Sequence, residues 1–116
     1  MYLLSAMQKV KNLITESGLA ADFDPARLTI PSVLIQPTGW EPATLTSADL
    51  AVTLWLIAGD TSTDATMDTL GKMHAILTGV VGTGPVRFQA IRLPSQAPDP
   101  LPAITIETKF SIENLE

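Results

Sequence analysis

The stretch AVTLWLIAGD, Ala51 to Asp60, decides the fold of this chain. Leucines and β-branched and aromatic residues that run up to a glycine are typical of a β-strand. One face would carry Ala51, Thr53, Trp55 and Ile57, and the other would carry Val52, Leu54, Leu56 and Ala58. Both faces are largely apolar, whereas a strand in a small antiparallel sheet normally keeps one face in water. The sequence therefore predicts a strand whose second face must also be covered.

Two segments on either side of this strand are predicted to be helices. In Tyr2–Ser17 the apolar residues recur every three or four positions, and Gly18 is well placed to follow the last turn. The second helix is predicted to begin near Thr61 to Thr63, where Thr61 and Asp64 have the spacing of a capping box, and to end at Gly79 to Gly82. Each helix has one apolar side, which suits docking on a sheet.

Three further segments are predicted to be strands, namely Ser32–Gln36, Val86–Arg92 and Ala103–Glu113. We expect an irregular segment at 19–30, a loop at 37–47 and a stiff proline-rich connection at 93–102. The order is helix, strand, strand, helix, strand, strand. It predicts one α+β domain over residues 1–116, with a four-stranded, mostly antiparallel sheet and two helices packed on one face.

The composition limits the classes of function. Of the 116 residues, 46% are hydrophobic and 16% are charged, and so low a charged share favours a chain that buries surface against a partner. The alternative is a monomer with a surface rich in Thr and Ser. The net charge is −5 with 7 Lys and Arg, and no basic stripe is present, so we expect no specific binding of double-stranded nucleic acid.

Other features of the sequence argue against disulfides, export and membrane insertion. The absence of cysteine excludes disulfides and thiolate metal sites. No apolar run approaches the length of a membrane span, and the start of the chain lacks the pattern of a secretory signal. We therefore expect a protein made in the cytoplasm that does not enter a membrane.

No group of residues predicts catalysis, a metal site or a cofactor. Asp60, Asp64 and Asp68 are better explained as carboxylates at the start of a helix, where the dipole favours them. His74 lies on or beside an apolar stripe and has no nucleophile motif, which indicates a partly buried structural residue. The glycines of 79–85 follow a helix, whereas a phosphate-binding loop precedes one. We expect a protein that is not an enzyme.

The two tryptophans are the candidates for contact with other chains. Trp55 is predicted to lie in the core or in a subunit interface. Trp40, in the expected loop, either folds back on its own domain or anchors another chain, because aromatic residues concentrate binding energy. Pro98 and Asp99, in the proline-rich connection, are predicted as further contacts with a subunit or partner.

In the order of its features the chain resembles the tail terminator (minor tail U-like) proteins of long-tailed bacteriophages. The resemblance runs from about Leu3 to Ile112 and rests on an ordered set of segments: an amphipathic helix, a strand ending at Gln36-Pro37, a loop with an aromatic residue, the strand LAVTLWLIAGD, the helix TMDTLGKMHAIL and the strand PAITIETKFSIE. The related neck-completion proteins share this pattern. The proline-rich 94–102 connection is a departure from it.

The resemblance implies a structural virion protein. Members form rings, usually hexamers, that cap the tail tube, stop its polymerisation and join it to the head connector. The implied partners are other copies of the chain, the tail tube protein and the head connector or stopper, with DNA passing through unbound. A neighbouring subunit would then cover the second face of the Ala51–Asp60 strand.

A non-basic channel wall would let DNA pass, because attraction to phosphates would slow it. Six copies would carry six times −5, or −30, and we expect Asp60, Glu107 and Glu113 as acidic residues facing the lumen. The alternatives are another head–tail neck component, or a small oligomeric α+β interaction module.

Overall fold

The computed structural model describes residues 2–58, 63–82, 84–92 and 100–113. The elements in chain order are α1 (Tyr2–Glu16), β1 (Ala21–Asp22), a 3₁₀ turn (Pro25–Arg27), β2 (Ser32–Pro42), β3 (Ala48–Ile57), α2 (Thr63–Val81), β4 (Val86–Ile91) and β5 (Leu101–Ile112). Helix α1 ends at Glu16, one residue before the predicted end at Ser17. Gly18 follows its last turn, as predicted, with a φ of 103°, a conformation that glycine adopts without strain.

The sheet has five strands in the order β1-β2-β3-β5-β4, and it is mixed. The prediction of a four-stranded, mostly antiparallel sheet is therefore wrong. The additional strand, β1, lies in the segment expected to be irregular, and it pairs in parallel with Val33 and Leu34. A strand of two residues cannot display the alternation of apolar and polar residues from which strands are recognised.

The second correction concerns the predicted loop at 37–47. Strand β2 continues to Pro42 and pairs with β3 along its whole length, so only residues 43–47 form the connection. The register shifts between Pro37 and Gly39, which is the signature of a bulge. The bulge lets the ladder continue past Pro37, which has no N–H to donate. Trp40 consequently lies in a strand, opposite Leu50.

The main core lies between the two helices and one face of the sheet. Strand β3 contributes Leu50, Val52, Leu54 and Leu56, and α1 contributes Val10 and Ile14, all fully buried or nearly so. From α2 come Leu70, Met73 and Leu77, and from β5 come Ile104, Ile106 and Ile112. We call this side of the sheet the helix face and the other side the open face.

The chain itself covers one end of the open face. Leu28, after the 3₁₀ turn, packs with Leu34, Ile57 and the start of β5 in a second, smaller cluster. Ile57 is fully buried by this packing, and Trp55 lies half-buried at its margin. Residues 28–30 therefore shield the Ile57 end of the apolar second face of β3, whereas Ala51, Thr53 and Trp55 are only half-buried. The sequence pattern does not reveal this role of residues 28–30.

Candidate subunit interface

Strand β4 forms one edge of the sheet. In the described part of the chain its only partner is β5, so the backbone N–H and C=O groups along its outer side are free to pair with another strand. The four central side chains, Arg87 to Ala90, are exposed, whichever face of the sheet they lie on. Natural proteins usually shorten, cover or charge such an edge, because it is a template for association.

An apolar groove runs between β4 and the first turns of α2 on the helix face. We call it the β4–α2 groove; its volume is 150 Å³, and it is lined by Met67, Leu70, Gly71, His74, Val86, Phe88 and Ile104. Phe88 is 65% exposed and Met67 is 50% exposed, although both are large apolar residues. His74 is half-buried in the wall of the groove, in agreement with the prediction of a partly buried structural histidine.

The apolar surface continues beyond the groove along the same edge. A shallower depression of 310 Å³ shares Met67, Leu70 and Phe88 and extends over Ala90 and Pro102. The contiguous exposed apolar surface therefore follows β4 over much of its length. Such patches on small proteins commonly mark sites of protein–protein contact.

The β2–β3 hairpin ends in a tip that sequence reasoning did not single out. Leu45, in the middle of residues 43–47, is 87% exposed. The tip is held by bonds from the backbone N–H groups of Ala43 and Thr44 to the carbonyl oxygen of Ser47, at 3.0 and 3.2 Å. The hydroxyls of Thr44 and Ser47 lie 2.7 Å apart. The tip is thus an ordered turn that exposes a leucine to solvent. The only feature of the sequence that could have indicated this was a leucine among Pro, Thr and Ser.

The charges near the hairpin and on β4 have opposite signs. Glu41 and Asp49 are direct cross-strand partners, which places two carboxylates side by side next to the tip. Asp49 also accepts a hydrogen bond from the Ser111 hydroxyl, 2.9 Å away. Strand β4 contains Arg87 and no acidic residue, and Arg92 directly follows it.

The open face contains a polar depression beside Trp55. It has a volume of 230 Å³ and is lined by Gln36, Thr53, Trp55, Pro85, Arg87, Gln89, Thr105 and Glu107. The indole Nε1–H of Trp55 donates to Oε1 of Gln36 at 2.9 Å, which fixes the ring. Trp55 thus packs on the second cluster and also borders the depression. It contributes to the core and still has surface exposed to solvent.

Of the remaining residues predicted as contacts or as lumen-facing, the three that the structure describes lie apart from one another. Trp40 is half-buried and packs against the main core from β2, far along the hairpin from Trp55. Glu107 and Glu113 are exposed, the first on the open face and the second just past the end of β5. Asp60, Pro98 and Asp99 lie outside the described residues.

Within the described residues, no group of three or more His, Asp and Glu side chains is arranged to hold a metal ion. None of the helices in those ranges is long and apolar enough to cross a membrane.

Comparisons with models of protein families, with curated proteins and with solved structures found no match to this chain.

Proposed function

We propose that this chain is the structural subunit of a homo-oligomeric ring, of the kind that caps the tail tube of long-tailed phages and joins it to the head connector. The observation that carries the proposal is the β4 edge, a six-residue strand that no described residue pairs with on its outer side and that has an exposed apolar groove beside it. Association would pair the edge and remove Phe88 and Met67 from water, and both changes are favourable.

The proposal also draws on the layer structure of the fold. Both helices pack on one face of the sheet, so the other face is available to line a passage. That open face carries Glu107 and Lys109 along β5, a mixed and weakly charged surface. In a ring with a net charge of −5 per subunit, such a wall would give DNA no continuous basic track to bind. The assembled protein would then lie in the virion, at the junction of tail and head.

The first experiment measures the mass and shape of the assembly. Light scattering after size-exclusion chromatography is expected to give about six copies at high protein concentration, and electron microscopy should show closed rings. A protein that stays monomeric up to millimolar concentration, alone and with tube, would contradict the proposal. A species of two copies would favour a dimeric interaction module.

The second experiment mixes the protein with the tail tube protein of the same virus. We expect shorter tubes with an additional ring at one end, because a terminator stops polymerisation. Rings that form but leave tube length unchanged would instead favour another component of the neck.

A further inference from the structure

We infer that the chain associates head to tail, with Leu45 of one copy seated in the β4–α2 groove of the next copy. The inference rests on the proposed ring, because a contact between two different patches is what closes more than two identical subunits into a ring. It adds to that proposal the two surfaces that meet.

The sizes and polarities of the two surfaces match. A cavity of about 150 Å³ lined by apolar side chains accepts a group the size of benzene, and an isobutyl side chain is no larger. The hydrogen bonds between Ala43, Thr44 and Ser47 already hold the hairpin tip in one conformation. Little conformational entropy would be lost when Leu45 enters the groove, so most of its burial would contribute to affinity.

The charges are also complementary. Glu41 and Asp49 lie on the open face of the hairpin, and Arg87 lies on the open face of β4, on the other side of the sheet from Phe88 and the groove. If the open faces of two copies lie on the same side of the ring, insertion of the tip at the β4 edge would bring the two carboxylates towards Arg87. Carboxylates that meet guanidinium groups set the orientation of the contact and disfavour the reverse pairings, hairpin to hairpin or edge to edge.

A Leu45 side chain in the groove must come from a second copy and not from the same chain. Phe88 in the groove is opposite Ile104 of β5. The hairpin tip, residues 43–47, directly precedes Ala48, which is opposite Ile112 of β5. At 3.3 Å per residue these positions lie about 26 Å apart, and residues 43–47 extend further in that direction. Leu45 therefore cannot reach the groove of its own chain.

The test uses one variant for each surface, Leu45→Asp and Phe88→Asp, with Met67→Asp as a second groove variant on the α2 wall. Each substitution should weaken self-association at least about 30-fold, the loss expected for a buried anchor residue. Leu4→Asp is the matched control, because Leu4 is also an exposed leucine, on α1, and should leave association unchanged. Circular dichroism melts establish that each variant folds.

Mixing the two kinds of variant gives the sharpest result. The Leu45→Asp copy retains an intact groove and the Phe88→Asp copy retains an intact hairpin, so an equimolar mixture should form dimers with one competent contact. Neither variant alone should dimerise, and the mixture should not close into rings. Analytical ultracentrifugation distinguishes these species by mass.

Several outcomes would overturn the inference. If the Leu45→Asp variant assembles like the wild type, the hairpin tip is not part of the contact. If the mixture of the two variants forms no dimers, the contact is not head to tail. Either result leaves the ring proposal intact if wild-type rings form by another surface. Conversely, head-to-tail rings that fail to cap tail tubes would remove the proposed function and retain this contact. A wild type that is monomeric at all concentrations would remove both.

Discussion

Asp22 joins three segments of the first third of the chain. Its carboxylate accepts hydrogen bonds from the backbone N–H groups of Phe23 and Asp24, at 2.7 and 3.1 Å. It also lies 3.4 Å from the ammonium of Lys11 on α1 and 3.0 Å from the guanidinium of Arg27 on the 3₁₀ turn. Burial alone would raise the pKa of Asp22, but the two amide hydrogen bonds and Lys11 outweigh it, so the pKa is lowered.

Asp22→Asn is therefore expected to lower the free energy of unfolding by about 1–3 kcal/mol at pH 7. Because the folded pKa is below the ordinary value of 3.8, the contribution of the carboxylate is complete above that value. It is lost as pH falls through the folded pKa, so wild type and variant should converge in strong acid. Urea unfolding at pH 7 and pH 2.5 measures this. Asp68→Asn, which removes an exposed ion pair with Lys72, is the control and should cost less than about 0.5 kcal/mol.

Ser32 is a buried residue at the start of β2. In the ranges that the structure describes, its hydroxyl oxygen is enclosed and has no hydrogen-bond partner. A polar group in that state costs free energy relative to an apolar group of the same size.

Ser32→Ala should consequently leave stability unchanged or raise the free energy of unfolding by up to about 1 kcal/mol. Chemical denaturation of the two proteins tests this prediction. A loss greater than about 1 kcal/mol would mean that the hydroxyl makes a favourable interaction.

At the scale of the element, two glycines near helix ends should respond oppositely to alanine. Gly18 has a φ of 103°, which strains any residue with a Cβ. Gly79 is helical, within α2, and a Cβ there would meet open space. Gly18→Ala is expected to lower the free energy of unfolding by about 1 kcal/mol, and Gly79→Ala to raise it by about 0.5 kcal/mol. The melting temperature should shift in the same direction as the free energy for each variant. Equal shifts of the same sign would contradict the assignment of Gly18 as the residue that ends α1.

The elements also show where local patterns were sufficient. In the last strand the apolar residues Ile104, Ile106 and Ile112 are separated by even numbers of positions, and all three lie in the main core on the helix face. The same rule failed for β2. Proline and glycine normally end a strand, but here a bulge between Pro37 and Gly39 lets the strand continue. An alternating pattern predicts a strand only while its register is uninterrupted.

At the scale of the whole molecule, the charge distribution predicts how assembly responds to salt. The net charge of −5 makes copies repel one another, but salt screens this repulsion beyond the Debye length, which is about 8 Å at 0.15 M salt. The inferred contact places Glu41 and Asp49 near Arg87, at short range. Raising NaCl from 0.15 to 1 M should therefore weaken association severalfold.

Glu41→Gln with Asp49→Asn provides the comparison for this prediction. Sedimentation at several salt concentrations should show weaker assembly of that double variant at 0.15 M and a smaller dependence on salt. Association that strengthens steadily with NaCl would indicate that general repulsion, and not the local contact, governs assembly.

Periodicity in the sequence was enough to predict both helices, the β3 strand, the last strand and the α+β class. Periodicity reports which face of an element is buried, and that information is local. Tertiary structure alone decided the two-residue strand β1, the bulged length of β2 and the cover that Leu28 gives to Ile57. It also decided that Phe88 lies on a strand whose outer side is unpaired within the described ranges, and that Leu45 lies on an ordered tip. These features depend on which distant residues become neighbours, and spacing along a chain does not contain that information.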